Sequence, residues 1–131
     1  MNYVKEFVKK FNMELDPKDK DAKQKFIDNS WIFIREEFEE LIQAIEDEDI
    51  EEIIDALGDI SWLCEKGLII AGVNPDKVRQ EIGQANMGKE IGVKPGREHA
   101  KLDVIKPKGW VGPNHEDNWG RLKEIFYGPD N

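Results

Sequence analysis

Between Arg35 and Ile60 the chain reads REEFEELIQAIEDEDIEEIIDALGDI, and this stretch limits the fold more than any other. It holds 12 of the 28 acidic residues and a single basic one, Arg35. Its apolar residues nevertheless keep helical spacing from end to end. Two helices, one running from about Asp21 to Glu46 and one from Asp49 to about Ala71, satisfy both patterns. The link Glu46-Asp47-Glu48-Asp49 is short, so the pair should fold back as an antiparallel hairpin. The charge is then either a solvated surface or a site for a cation.

Helical angles separate these possibilities. With Ile34 as origin and ~100° per residue, Ile27, Phe38, Leu41 and Ile45 fall within ~40° of it. Phe26, Phe33 and Ala44 form a second apolar line at about −80° to −100°. Glu37 lands inside this arc at about −60° and Glu40 on its border at about −120°, whereas Glu36 and Glu39 lie on the far side. In the second helix Ile50, Ile53, Cys64, Leu68 and Ala71 share the side of Leu57. Glu52, Asp55 and Asp59 occupy an arc of ~60° opposite, continued by Trp62, Ile69 and Ile70. This helix therefore reads as buried on both sides, with Cys64 packed in the core. Glu40 and Asp55 stand ~7 and ~8 residues from the bend, so the two acidic lines should meet. Carboxylates so placed must be protonated, paired with bases or holding metal. Oxygen ligands without Cys or His select a hard cation, Mg²⁺ or Mn²⁺.

Simpler roles compete for some of these residues. Glu52 completes a capping box with Asp49 at the helix start. Asp55 and Asp59 could belong to a solvated face, and Glu37 could be a core-edge acid paired with a base. Asn86, near a helix end, could serve only as a C-cap. No calcium-loop, phosphate-loop or nucleophile–base pattern occurs.

The rest of the chain frames this hairpin. Val4, Phe7, Val8 and Phe11 predict a short amphipathic helix over 3–12, followed by a polar link to Lys20. Asn74-Pro75-Asp76 reads as an N-cap with proline at the first helical position, opening a helix to about Asn86. Beyond residue 90 lie four of the six prolines and six of the eleven glycines, so irregular structure is expected. Within it, an extended piece at Lys101–Ile105 and a final helix around Trp119–Phe126 stand out. The expected class is all-α, a four-helix-bundle type in one domain over 1–131, with a helical core at about 3–89 and a C-terminal wrap over 90–131.

Net charge is −9, which argues against a nucleic-acid partner. One cysteine excludes an internal disulfide framework, and two histidines, His99 and His115, make a His-rich zinc centre unexpected. No apolar run approaches the ~18 residues of a membrane span, and no signal peptide is expected, which suggests a cytoplasmic protein without a membrane partner.

The acidic segments Glu36-Glu37-Phe38-Glu39-Glu40-Leu41 and Glu52-Ile53-Ile54-Asp55-Ala56-Leu57-Gly58-Asp59 resemble the EExxEL and ExxDALxD signature of the all-α nucleoside triphosphate pyrophosphohydrolases. These include MazG-like enzymes, phosphoribosyl-ATP pyrophosphohydrolase relatives and dimeric dUTPases. Gln84-Ala85-Asn86-Met87-Gly88-Lys89 is similar to a Ser-Asn-Met-Ser-Lys segment of the phage and bacterial MazG-like branch. Val104-Ile105-Lys106-Pro107-Lys108-Gly109-Trp110 is similar to the VIKPxGW piece that follows it there. The match covers roughly residues 24–113. In one respect the chain departs from MazG proper, whose second acid pair would place a carboxylate at Ala56; here the acids precede it at Glu52 and Asp55.

The resemblance implies Mg²⁺-dependent hydrolysis of a nucleoside triphosphate, with a deoxynucleotide expected, to the monophosphate and pyrophosphate. It implies Glu37, Glu40, Asp55 and Asp59 as metal ligands, with Glu52 as a further one. Glu36 and Glu37 would act on the attacking water. Lys89 and Arg79 would meet phosphate, Asn86 the sugar or base, and Trp31 or Trp62 would stack on the base. A homodimer or homotetramer is implied as well. Two readings compete with this one: a metal-dependent nucleotide binder that shares the ligands without turnover, and an acidic helical module, its acids facing outward, that binds a basic partner or mimics nucleic acid.

Overall fold

The structure, a computed structural model, describes residues 2–97, 99 and 103–129. Among them are six α-helices: α1 Tyr3–Lys10, α2 Ala22–Asn29, α3 Trp31–Glu46, α4 Ile50–Ile70, α5 Pro75–Met87 and α6 Leu122–Tyr127. Two short strands, β1 Glu90–Ile91 and β2 Val104–Ile105, pair antiparallel. The expected all-α class is observed. The extended piece is met at Val104–Ile105, whereas Lys101 and Leu102 lie outside the described residues.

Contacts divide the chain into two compact units, Met1–Pro75 with Trp119–Asn131, and Asp76–Asn118. In the first unit α3 and α4 form the expected hairpin, α1 packs on α4, and α2 packs on α3, α4 and α6. Local chemistry sets the helix ends. Asn2 caps α1 by accepting from Lys5 N–H at 2.9 Å, and Asp49 caps α4 by accepting from Glu52 N–H at 3.2 Å. The hairpin bend closes α3 with Glu48 N–H donating to Ile45 O at 3.1 Å and Asp49 N–H to Ala44 O at 3.0 Å. That is a Schellman arrangement, and it forces Glu48 to φ 53°, a position that favours glycine.

The core of this unit lies at the end of the hairpin away from the bend. Val8, Leu15 and Ile70 are buried there, with Met13, Phe26, Ile69 and Ile125 packed against them. The C-terminal segment closes over it. Arg121 N–H donates to Ala71 O at 2.7 Å, and Phe126 meets Phe26 edge-on at 5.9 Å between ring centroids. Gly120 makes this return possible: at φ 55° a Cβ there would stand 2.5 Å from Ala71 O. In the second unit α5 and the loops after it carry the two-stranded hairpin, fastened by Trp110 Nε1–H donating to Ala85 O at 2.7 Å.

Two expectations are corrected. The first long helix is broken at Ser30, which ends α2 and starts α3 with φ −128° and ψ −80°. Its hydroxyl donates to Phe26 O, and its Cβ would lie 3.2 Å from a Cβ built on Gly67 of α4. The break thus falls at a close crossing of α4, a tertiary cause that helical spacing does not report. Second, the Leu57 side of α4 is core only at its far end, where Ala71 is buried; Ile53 and Leu68 are half-buried, Cys64 is exposed, and Ile50 and Leu57, with the neighbouring Ile54, are 73%, 54% and 63% exposed. On α3, Phe38, Ile42 and Ile45 are likewise open. The apolar line is real, but nothing among the described residues covers it.

Candidate active site

The site grows from the geometry of the hairpin. α3 carries Glu37 and Glu40 one turn apart, and α4 carries Asp55 and Asp59 one turn apart. Ala44 and Ala56, buried at 5% and 2% exposure, keep the side chains on these stretches small. Glu40, Asp55 and Asp59 act on Glu37, and Asp55 and Glu40 act on Asp59. Glu37 is half-buried, and its Oε2 is fully buried with no hydrogen-bond partner. Its carboxyl is pushed up to about 7, first by burial, then by a hydrogen bond and charge from Glu40, then by the charges of Asp59 and Asp55. The Asp59 carboxyl is also raised, first by burial, then by the charge and hydrogen bond of Asp55 and the charge of Glu40. No basic side chain enters either balance.

Such a cluster stores repulsion that protons or cations relieve. Its donors are all hard oxygens, and an unpartnered buried carboxylate oxygen points to a missing positive group. The residues therefore fit Mg²⁺ or Mn²⁺ in chemical type. Among the described residues no three acids, histidines or cysteines are drawn into a closed cage around one point. The four carboxylates are neighbours in charge and do not converge on a common point.

The other expected residues are distributed as follows. Glu36 and Glu39 are exposed on the outer side of α3. Glu52 is exposed, and its backbone N–H serves the Asp49 cap; Asp49 N–H goes to Ala44 O, so the capping box is not closed by Glu52. Trp31 is 52% exposed, while Trp62 is half-buried and meets Phe7 of α1 edge-on at 5.5 Å. Arg79 pairs with Asp76 at 3.7 Å on the outside of α5. Asn86 is exposed, and its carbonyl accepts from Lys89 N–H at 3.1 Å. Arg79, Asn86 and Lys89 belong to the second unit.

Lys66 escaped the sequence reading. It is 5% exposed, and its amine rests 4.6 Å over the Phe33 ring. Burial lowers its pKa. Asp55, Asp59, Trp62 and Lys66 follow one another at helical spacing on a single face of α4, a pattern that gives the position of Lys66 and not its burial.

No helix among the described residues is long and apolar enough to cross a membrane. No curated protein and no solved structure matches the chain. The family model for phosphoribosyl-ATP pyrophosphohydrolase matches residues 4–86, from α1 nearly to the end of α5, and so takes in both acid-bearing helices. The chain belongs to the phosphoribosyl-ATP pyrophosphohydrolase family, within the MazG-like all-α superfamily, and its activity is that of a pyrophosphohydrolase acting on a nucleotide.

Proposed function

We propose that the protein hydrolyses a nucleoside triphosphate, a deoxynucleotide foremost, between its α- and β-phosphates, in a divalent-cation-dependent reaction. The observation that carries this reading is the crowding of Glu37 by the charges of Glu40, Asp55 and Asp59, with its carboxyl pushed up to about 7 and one buried oxygen unpartnered. A chain that gathers four acids without a base is prepared for positive charge.

Glu37, Glu40, Asp55 and Asp59 would hold Mg²⁺, with Glu52 as a further ligand. When bound, the ion supplies neutralisation of the triphosphate and of the charge that develops on the leaving pyrophosphate. The protein's own part is proton handling and orientation. Water oxygen bonds to the α-phosphorus, the bond from that phosphorus to the α–β bridging oxygen breaks, and pyrophosphate leaves with that oxygen. Glu37 would take the water's proton, its ionised form being the one that can act as a base. Glu36, one residue away on the exposed side, is a weaker candidate for the same task. Lys89 and Arg79 remain proposed phosphate partners, Asn86 a partner for sugar or base, and Trp31 and Trp62 stacking surfaces, all on the strength of the family resemblance.

The reading includes a homodimer or homotetramer. The line of Phe38, Ile42, Ile45, Ile50, Ile54 and Leu57 supports it, being apolar and exposed on both arms of the hairpin. The test of function is a panel of ribo- and deoxynucleoside triphosphates with Mg²⁺, scored for pyrophosphate release. Release from at least one, abolished in Asp59→Asn, is the expected result. Metal-dependent nucleotide binding without release from any of them would make the protein a sensor instead.

A further inference from the structure

The stretch Val104 to Trp110 takes no part in the chemistry above, and within the second unit it assembles a pair of cations. β1 and β2 pair Glu90 with Ile105 and Ile91 with Val104, so the next step of the register sets Lys89 opposite Lys106. Like charges directly opposite across a ladder are destabilising. Both amines nevertheless lean over one ring, Trp110, at 5.5 and 4.8 Å from its centroid. That ring is fixed in place: its Nε1–H is held by Ala85 O, and at Gly112 a Cβ would come within 3.3 Å of it.

No carboxylate among the described residues pairs with either amine. Asp103, whose charge reaches Lys89, is occupied by Arg97 at 2.9 Å and by Val104 N–H at 2.9 Å. The C-terminal end of α5 favours a cation at Lys89, but that end supplies no reason for a second one across the strand. A chain of net charge −9 could have offered an acid at either position and offers none.

We propose that Lys89 and Lys106, seated on Trp110, form a phosphate-binding subsite within the second unit, which takes a terminal phosphoryl group of a polyphosphate. Cation–π contact with the indole face holds the two ammonium groups near each other, and the anion removes the repulsion between them. The choice of a polyphosphate rests on the pyrophosphohydrolase reading; the presence of an anion site does not.

The test titrates inorganic pyrophosphate, and separately a nucleoside α,β-imidotriphosphate, calorimetrically into the full chain at low ionic strength with EDTA present. Wild type, Lys106→Gln, Lys89→Gln/Lys106→Gln and Glu37→Gln are compared. Binding by wild type that weakens about tenfold in Lys106→Gln and is unchanged in Glu37→Gln is expected. Pyrophosphate bound alone assigns the subsite to the released product, and tighter binding of the nucleotide assigns it to the substrate. Without anion, the melting temperature of Lys106→Gln should stay level or rise. Equal affinity in wild type and double variant, or a drop in melting temperature with unchanged anion affinity, would overturn the proposal and leave a structural pair. Failure of every triphosphate to be cleaved while pyrophosphate still binds counts against the enzymatic reading alone.

Discussion

Glu37 concentrates the physics of this protein in one side chain. Its folded carboxyl is raised from 4.5 to about 7, so between those values the folded chain keeps a proton that the unfolded chain releases. Metal-free stability should therefore be complete below the lower value and fall as pH rises through the higher one. Asp59, raised from 3.8, adds a change of the same sign. Melting curves in EDTA from pH 4 to 8 should show the decline, and Glu37→Gln should flatten much of it. At pH 8 that variant should be more stable than wild type by ~1 kcal/mol, discounted for solvent screening, while pyrophosphate release is lost. A variant that melts lower and still cleaves would place the chemistry elsewhere.

Among the elements, the hairpin is where sequence and structure agree best and also where they part. Its bend is built on Glu48 in the left-handed region, so Glu48→Gly should raise stability by ~1 kcal/mol, read as an increase in melting temperature. The cap at Asp49 and the start of α5 at Pro75 were legible because they depend on neighbours in the chain. So was the approach of the α3 acids to those of α4, near enough for their charges to act on Glu37 and Asp59, which follows from period and link length. The break at Ser30 was not legible, because its cause is a crossing helix 37 residues away at Gly67. Nor was the burial of Lys66, since a lysine on an acidic face reads as a surface partner until Phe33 is seen beneath it. The strand at Glu90–Ile91 is too short for any periodicity to announce it.

For the whole molecule, the exposed apolar line on α3 and α4 is the feature a single chain leaves unresolved. Periodicity tells that a face is apolar and not what covers it, so from spacing alone the Leu57 side reads as core. A self-associating protein would bury that line against a second copy. Leu57→Asp should then shift the mass in solution from an oligomer to the monomer, measured by light scattering, with a helical circular dichroism spectrum retained. A wild type that is already monomeric at micromolar concentration would remove this part of the reading.

Everything proposed for catalysis depends on whether the facing acids of α3 and α4 take up a divalent cation. Mn²⁺ titrated into the full chain and followed by electron paramagnetic resonance reads that directly. Wild type should bind the ion near neutral pH, and Glu37→Gln and Asp59→Asn should each bind it at least about tenfold more weakly. Equal Mn²⁺ binding by wild type and both variants would contradict the site.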